Sequence, residues 1–174
     1  MLQADHDALR QADQTLTLLA AERSPDGGRP VGASQVAYAG AVHIGLVAVV
    51  VSEYDPAISF FVDVLGFELV EDSPSVTNDG RPKRWVVVRP PGAVTGLLLA
   101  RADGAEQAFA VGKQVAGRVG FFLQVEDFDA AHTRMSSAGV EFVRAPRSEP
   151  YGRVAVFLDI AGNKWDLIGP ARQD

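Results

Sequence analysis

The sequence predicts an α+β fold of two tandem βαβββ modules, and three observations predict it. First, a block repeats: Val51-Ser52-Glu53-Tyr54-Asp55-Pro56-Ala57 aligns with Val125-Glu126-Asp127-Phe128-Asp129-Ala130-Ala131. Second, Leu65-Gly66-Phe67-Glu68-Leu69-Val70 aligns with Ala138-Gly139-Val140-Glu141-Phe142-Val143 at a similar distance further on. Third, each block follows a Val- and Phe-rich run and precedes three short β-prone runs separated by turn residues.

The elements follow in order. Residues 2–22 carry Leu2, Leu9, Leu16, Leu19 and Ala20 near one helical face, and the segment 24–30 (Ser-Pro-Asp-Gly-Gly-Arg-Pro) breaks regular structure. Residues 1–40 are therefore read as an N-terminal helix with a flexible linker. Residues 41–170 are read as one domain: a first module over 42–101, a connector over 102–116 and a second module over 117–169. Strands are expected over 43–51 and 119–125. An aromatic–Asp pair then opens each helix, with Asp55 and Asp129 as N-caps and Pro56 in the first turn. The helical stripes are Ala57, Phe61, Val64, Leu65 and Ala131, Met135, Ala138. Gly66 and Gly139 stand where a helix end needs a positive φ. Strands follow over 67–70, 84–89 and 95–101, then 140–144, 154–158 and 164–168. One βαβββ unit cannot cover both faces of its sheet. The two are expected to pair into a curved, partly closed mixed sheet, with helices outside and a concave face between the modules.

Composition narrows the function. The 174 residues are 47% hydrophobic and 22% charged, ordinary values for a globular chain long enough to bury a core. A net charge of −6, without a basic face, argues against nucleic acid as a partner. The sequence has no cysteine, which removes disulfides, thiolate zinc sites and thiol nucleophiles, and fits a reducing compartment. No run approaches the 18 or so apolar residues of a membrane span, and the first residues lack a secretory pattern, so a cytoplasmic location is expected. No Gly-x-Ser-x-Gly, P-loop or dinucleotide fingerprint is present.

The segments Val51-Ser52-Glu53-Tyr54-Asp55, Leu65-Gly66-Phe67-Glu68-Leu69-Val70 and Asp159-Ile160-Ala161-Gly162-Asn163-Lys164-Trp165-Asp166-Leu167 resemble the vicinal-oxygen-chelate superfamily. That group includes glyoxalase I, bleomycin-resistance proteins, fosfomycin-resistance enzymes and extradiol dioxygenases. The stretches Arg84-Trp85-Val86-Val87-Val88 and Glu149-Pro150-Tyr151-Gly152 are similar to uncharacterised bacterial glyoxalase-like proteins. The resemblance covers roughly residues 42–169. It implies metal-ligand positions on the first and last strand of each module, which fall here on Leu46, Leu98, Gly120 and Asp166. Leucine and glycine offer no donor, and Asp166 alone cannot hold a divalent ion that wants about three to six ligands. His6, His43 and His132 match none of these positions.

No metal or other cofactor is therefore expected. Strand alternation places Leu46, Ala48 and Val50 on one face, and Gly120, Phe122 and Gln124 on one face. The expected ligand-binding residues are Leu46, Ala48, Trp85, Leu98, Gly120, Phe122, Gln124 and Tyr151, with Gly120 leaving room and Tyr151 on a rim loop. Asp166 is the polar survivor of the quartet and the candidate catalytic base or ligand anchor. The expected function is binding of a small, largely apolar or aromatic molecule in the concave cavity between the two modules, with a homodimer as the expected assembly. The alternative is a glyoxalase I-like lyase or an extradiol-dioxygenase-like oxidoreductase with a relocated or incomplete metal site. A third is a dimerising scaffold with an empty cavity.

Overall fold

The computed structural model describes residues 42–171, so the predicted N-terminal helix and linker lie outside the described residues. The first module runs β1 (Leu46–Val51), α1 (Tyr54–Ser59, continued by a π-helical turn Phe60–Val64), β2 (Glu68–Val76), β3 (Pro82–Arg89) and β4 (Gly96–Arg101). A short helix α2 (Gly104–Ala110) occupies the connector. The second module runs β5 (Val119–Gln124), α3 (Phe128–Ser137), β6 (Phe142–Glu149), β7 (Gly152–Leu158) and β8 (Lys164–Gly169). The two modules are thus both βαβββ, and their sheets have the same order, β1-β4-β3-β2 and β5-β8-β7-β6. In each, the first and last strands are parallel and the rest of the resolved pairings antiparallel.

The strands form two four-stranded sheets, not one continuous ladder, and the free edge of β1 has a local reason. The Gln114 side chain accepts from Val50 N–H at 2.8 Å and donates to the Ala48 carbonyl at 2.6 Å, occupying the edge of β1. Strands β2 and β6 run about five residues further than the sequence suggested. Both are sheet edges, where Pro74 and Pro146 leave no central ladder bond unmade.

The residues Ser75–Lys83 belong to a compact unit separate from His43–Pro74 and Arg84 onward. Taken alone, that unit's described turn is closed by Thr77 N–H to Arg81 O at 2.8 Å and by an Arg81–Asp79 ion pair at 2.7 Å. Hydrogen bonds from Thr77, then Arg81, hold the Asp79 carboxyl below its usual range.

In the larger unit, the helix-covered faces of both modules share one core. Phe61 from α1 lies 5.9 Å from Trp165 of β8, and Trp165 stacks at 4.4 Å on Phe121 of β5. Arg134 of α3 donates to the Val64 carbonyl at 3.1 Å, tying the two helical segments together. The π-helical turn explains how adjacent Phe60 and Phe61 are both buried: the extra residue per turn brings both onto the apolar side. In α3 the buried stripe is Phe128, Ala131 and Met135, whereas Ala138, predicted as part of it, is exposed at the helix end. Gly66 and Gly139 take φ of 80° and 81°, as a helix stop followed by a strand requires.

Candidate functional site

Strand register fixes which side chains share a face. Ala48 stands opposite Leu98, and Leu98 opposite Val87, so these three stand on one face; the period of two adds Leu46 and Trp85. Val49, Val51, Leu97 and Leu99 point the other way, into the core. In the second module Phe122 stands opposite Asp166, and Asp166 opposite Val156; Gln124, Ile168 and Val154 make the next row. The open face of each module is apolar with few polar groups. Phe122 is 63% exposed and Leu46 39% exposed, while Trp85, Leu98 and Asp166 are half-buried. Tyr151 is exposed at the β6–β7 turn.

Gly120 behaves differently from its neighbours. The β5–β8 register shifts between Val119 and Phe121, so Gly120 is the bulge residue. A Cβ built there would overlap the methyl groups of Val115. The glycine therefore admits the connector and does not leave a vacant space. The signal available in the sequence, a lone glycine inside a strand pattern, marks close backbone approach.

A cleft of about 340 Å³ is bordered by Val47, Phe67, Leu97, Phe121, Leu123 and Trp165. Of the predicted lining residues, only Gly120 and Phe122 border it. Leu46, Ala48, Trp85, Leu98, Gln124, Tyr151 and Asp166 do not.

The predicted caps are corrected by the structure. The helices begin two residues earlier than expected, at Tyr54 and Phe128, so Asp55 and Asp129 lie inside the first turn. Asp127 is the N-cap of α3 and accepts from Ala130 N–H at 2.9 Å, whereas Glu53 precedes α1 without a side-chain cap. Asp55 and Asp129 instead reach arginines on the third strand of their modules. Arg84 Nη1 is 2.5 Å from Asp55, with its guanidinium 5.2 Å from the Tyr54 ring centre. Arg153 Nη1 is 2.6 Å from Asp129, with its guanidinium 4.3 Å from the Phe128 ring centre. Arg84 also takes both oxygens of Asp72, at 2.9 and 2.5 Å. That hydrogen bonding holds the Asp72 carboxyl below its usual range, and the two aspartates push the guanidinium up.

The Asp-x-x-Gly-Asn segment is structural. Buried Asp159 accepts from Ala161 N–H and Asn163 N–H on one oxygen, and from Asn163 Nδ2 and Trp165 Nε1 on the other. Trp165 is thereby locked into the core beside the cleft. His132 packs in a helix–sheet seam, 5.9 Å from Phe128 and 4.2 Å from Phe142.

The metal-ligand positions implied by the resemblance hold Leu46, Leu98, Gly120 and Asp166, one donor side chain in four. Among the described residues no group of three or more His, Cys, Asp or Glu is arranged to hold a metal ion. These residues do not fit a divalent ion at that place. Among the described residues no helix is long and apolar enough to cross a membrane.

Comparison with known proteins agrees with the fold. Residues 41–167 match the profile of the Glyoxalase/Bleomycin resistance protein/Dioxygenase superfamily. An uncharacterized protein of Shewanella frigidimarina is 49% identical over 128 residues, 73% of this chain and 90% of its own length. The uncharacterized protein YetH of Bacillus subtilis is 30% identical over 123 residues, covering 69% and 92%. Among solved structures, TnmS3, an antibiotic binding protein from Streptomyces sp. CB03234, is 32% identical with a TM-score of 0.60, covering 76% of this chain and 98% of its own. Repeated modules, strand order and sequence match converge, and the chain belongs to the glyoxalase/bleomycin resistance protein/dioxygenase superfamily.

Proposed function

We propose that this protein binds a small, largely apolar or aromatic molecule, without a metal, on the open sheet faces of its modules. The observation that carries this reading is Phe122. Its ring is 63% exposed in mid-strand, between Phe121 and Leu123, which pack toward the core, and directly opposite the half-buried carboxylate of Asp166. An apolar surface with a few directed polar groups, here Gln124, Arg147 and Asp166, is the usual make-up of a small-molecule site. Leu46, Ala48, Leu98 and Trp85 supply the corresponding surface in the first module, and Tyr151 the rim. The likeness to TnmS3, an antibiotic binding protein, supports a binding role. A second copy of the chain, covering exposed Leu46 and Phe122, would complete the walls, and a homodimer is the assembly we propose.

The test is a thermal-shift and fluorescence titration with 1-anilinonaphthalene-8-sulfonate and with Ni²⁺, Zn²⁺, Mn²⁺ and Fe²⁺. Binding of the aromatic dye that weakens at least tenfold in Phe122→Ala, with no metal-dependent rise in Tm, is expected. Stoichiometric metal, or a metal-dependent rise abolished by Asp166→Ala, would overturn the metal-free reading in favour of a lyase or dioxygenase.

A further inference from the structure

Two buried polar atoms on the open face of the second module have no hydrogen-bond partner among the protein's own groups. They are Nη1 of Arg147 and Oδ1 of Asp166. The register puts them close together. Arg147 stands opposite Val154 and Asp166 opposite Val156, two positions apart on the same face of β7, so the arginine and the carboxylate flank one valine-floored patch. The Glu149 hydrogen bond chiefly raises the Arg147 pKa, and the charge of Asp166 contributes after it. The Arg147 side chain is 37% exposed and, among the described residues, has one ion-pair partner, Glu149. Its Nε donates to Glu149 Oε1 at 2.7 Å, which leaves Nη1 for another acceptor.

A buried donor and a buried acceptor on one face, neither bonded to the other, can be satisfied together by one outside group. We propose that Arg147 and Asp166 form a paired donor–acceptor site for a neutral group that gives and takes a hydrogen bond at once, a hydroxyl or a primary carboxamide on an aromatic ring. Arg147 Nη1 donates to the group's oxygen, and the group's O–H or N–H donates to Asp166 Oδ1. Phe122, directly opposite Asp166, offers its exposed ring to the aromatic part. Hydrogen-bond complementarity sets the selectivity: a carboxylate ligand only accepts and brings no proton for Asp166 Oδ1, whereas a hydroxyl or primary amide both gives and takes. This inference rests on the binding function proposed above and specifies the polar end of its ligand.

The experiment is a protein-observed ¹⁵N NMR titration of the whole chain with benzamide, N,N-dimethylbenzamide and benzoate, and with phenol against anisole. Benzamide and phenol are expected to bind about tenfold more tightly than their blocked or charged counterparts, with shifts centred on Phe122 and Asp166. That preference is expected to vanish in Asp166→Leu and Arg147→Met, whose spectra also report whether each variant folds. The wild-type ranking stands without the variants. Equal affinity for all five probes overturns the donor–acceptor site while leaving apolar binding intact. Binding of none of them, with 1-anilinonaphthalene-8-sulfonate still bound at Phe122, overturns the site alone. Loss of the dye as well overturns the reading beneath it.

Discussion

Arg153 places its guanidinium 2.6 Å from Asp129 and 4.3 Å above the Phe128 ring, holding the start of α3 against the third strand of its own module. Arg84 repeats the arrangement with Asp55 and Tyr54 in the first module. The internal repeat is therefore carried by a cation, a carboxylate and a ring, as well as by the backbone. Arg153 is the better covered of the two arginines, with 13% of its side chain exposed against 34%. Arg153→Met is expected to cost about 1–2 kcal/mol, combining the ring contact with a screened ion pair. Urea unfolding of wild type, Arg153→Met and Arg153→Lys checks this; a loss below 0.3 kcal/mol in both variants would contradict it.

Stability should depend on pH through Asp72. Its carboxyl is held below its ordinary value by Arg84, so the folded state favours the ionised form. That contribution is present at neutral pH and is lost as pH falls through the lowered folded value. The Tm gap between wild type and Arg84→Met is expected to be widest near pH 7 and to narrow below about pH 4. A gap that stays constant down to pH 2.5 would mean that Arg84 acts only by packing on Tyr54.

Asp159 accepts four hydrogen bonds in the β7–β8 turn, one of them from Trp165 Nε1. Asp159→Ala leaves several buried donors without partners and is expected to cost roughly 3 kcal/mol or more. Trp165→Phe removes one donor and is expected to cost less than Asp159→Ala. Denaturation curves of the two variants decide the order.

The bulge at Gly120 predicts a compensating pair. Gly120→Ala forces its methyl into Val115 and is expected to cost about 1–3 kcal/mol. Val115→Ala in the same chain should recover part of that loss, seen as a favourable coupling energy in a double-mutant cycle. Simple additivity would show that Val115 is not what confines position 120.

The side chain of Gln114 covers the free edge of β1. Gln114→Ala is expected to destabilise the fold by about 1 kcal/mol. It should also speed amide exchange at Val50, read by NMR against the unaffected amide of Leu99. Unchanged Val50 exchange would remove the edge-covering role.

The sequence by itself determined the two βαβββ modules, the helix-ending glycines 66 and 139, and the faces on which Ala48, Leu98, Phe122 and Asp166 stand. These follow from local causes: a repeat, a positive φ, and a side-chain period of two, all legible within about ten residues. The tertiary structure decided what depends on contacts across the chain. Asp55 meets Arg84 from 29 residues away and so does not cap its helix. Val115 closes the space at Gly120, and Gln114 reaches β1 from 64 residues away. Strands β2 and β6 extend past their prolines because they are edges, a property of sheet order that no window of sequence contains. The orphaned atoms of Arg147 and Asp166 belong to that second class as well: alternation gave Asp166 its face, and only the pairing of β6, β7 and β8 placed Arg147 beside it.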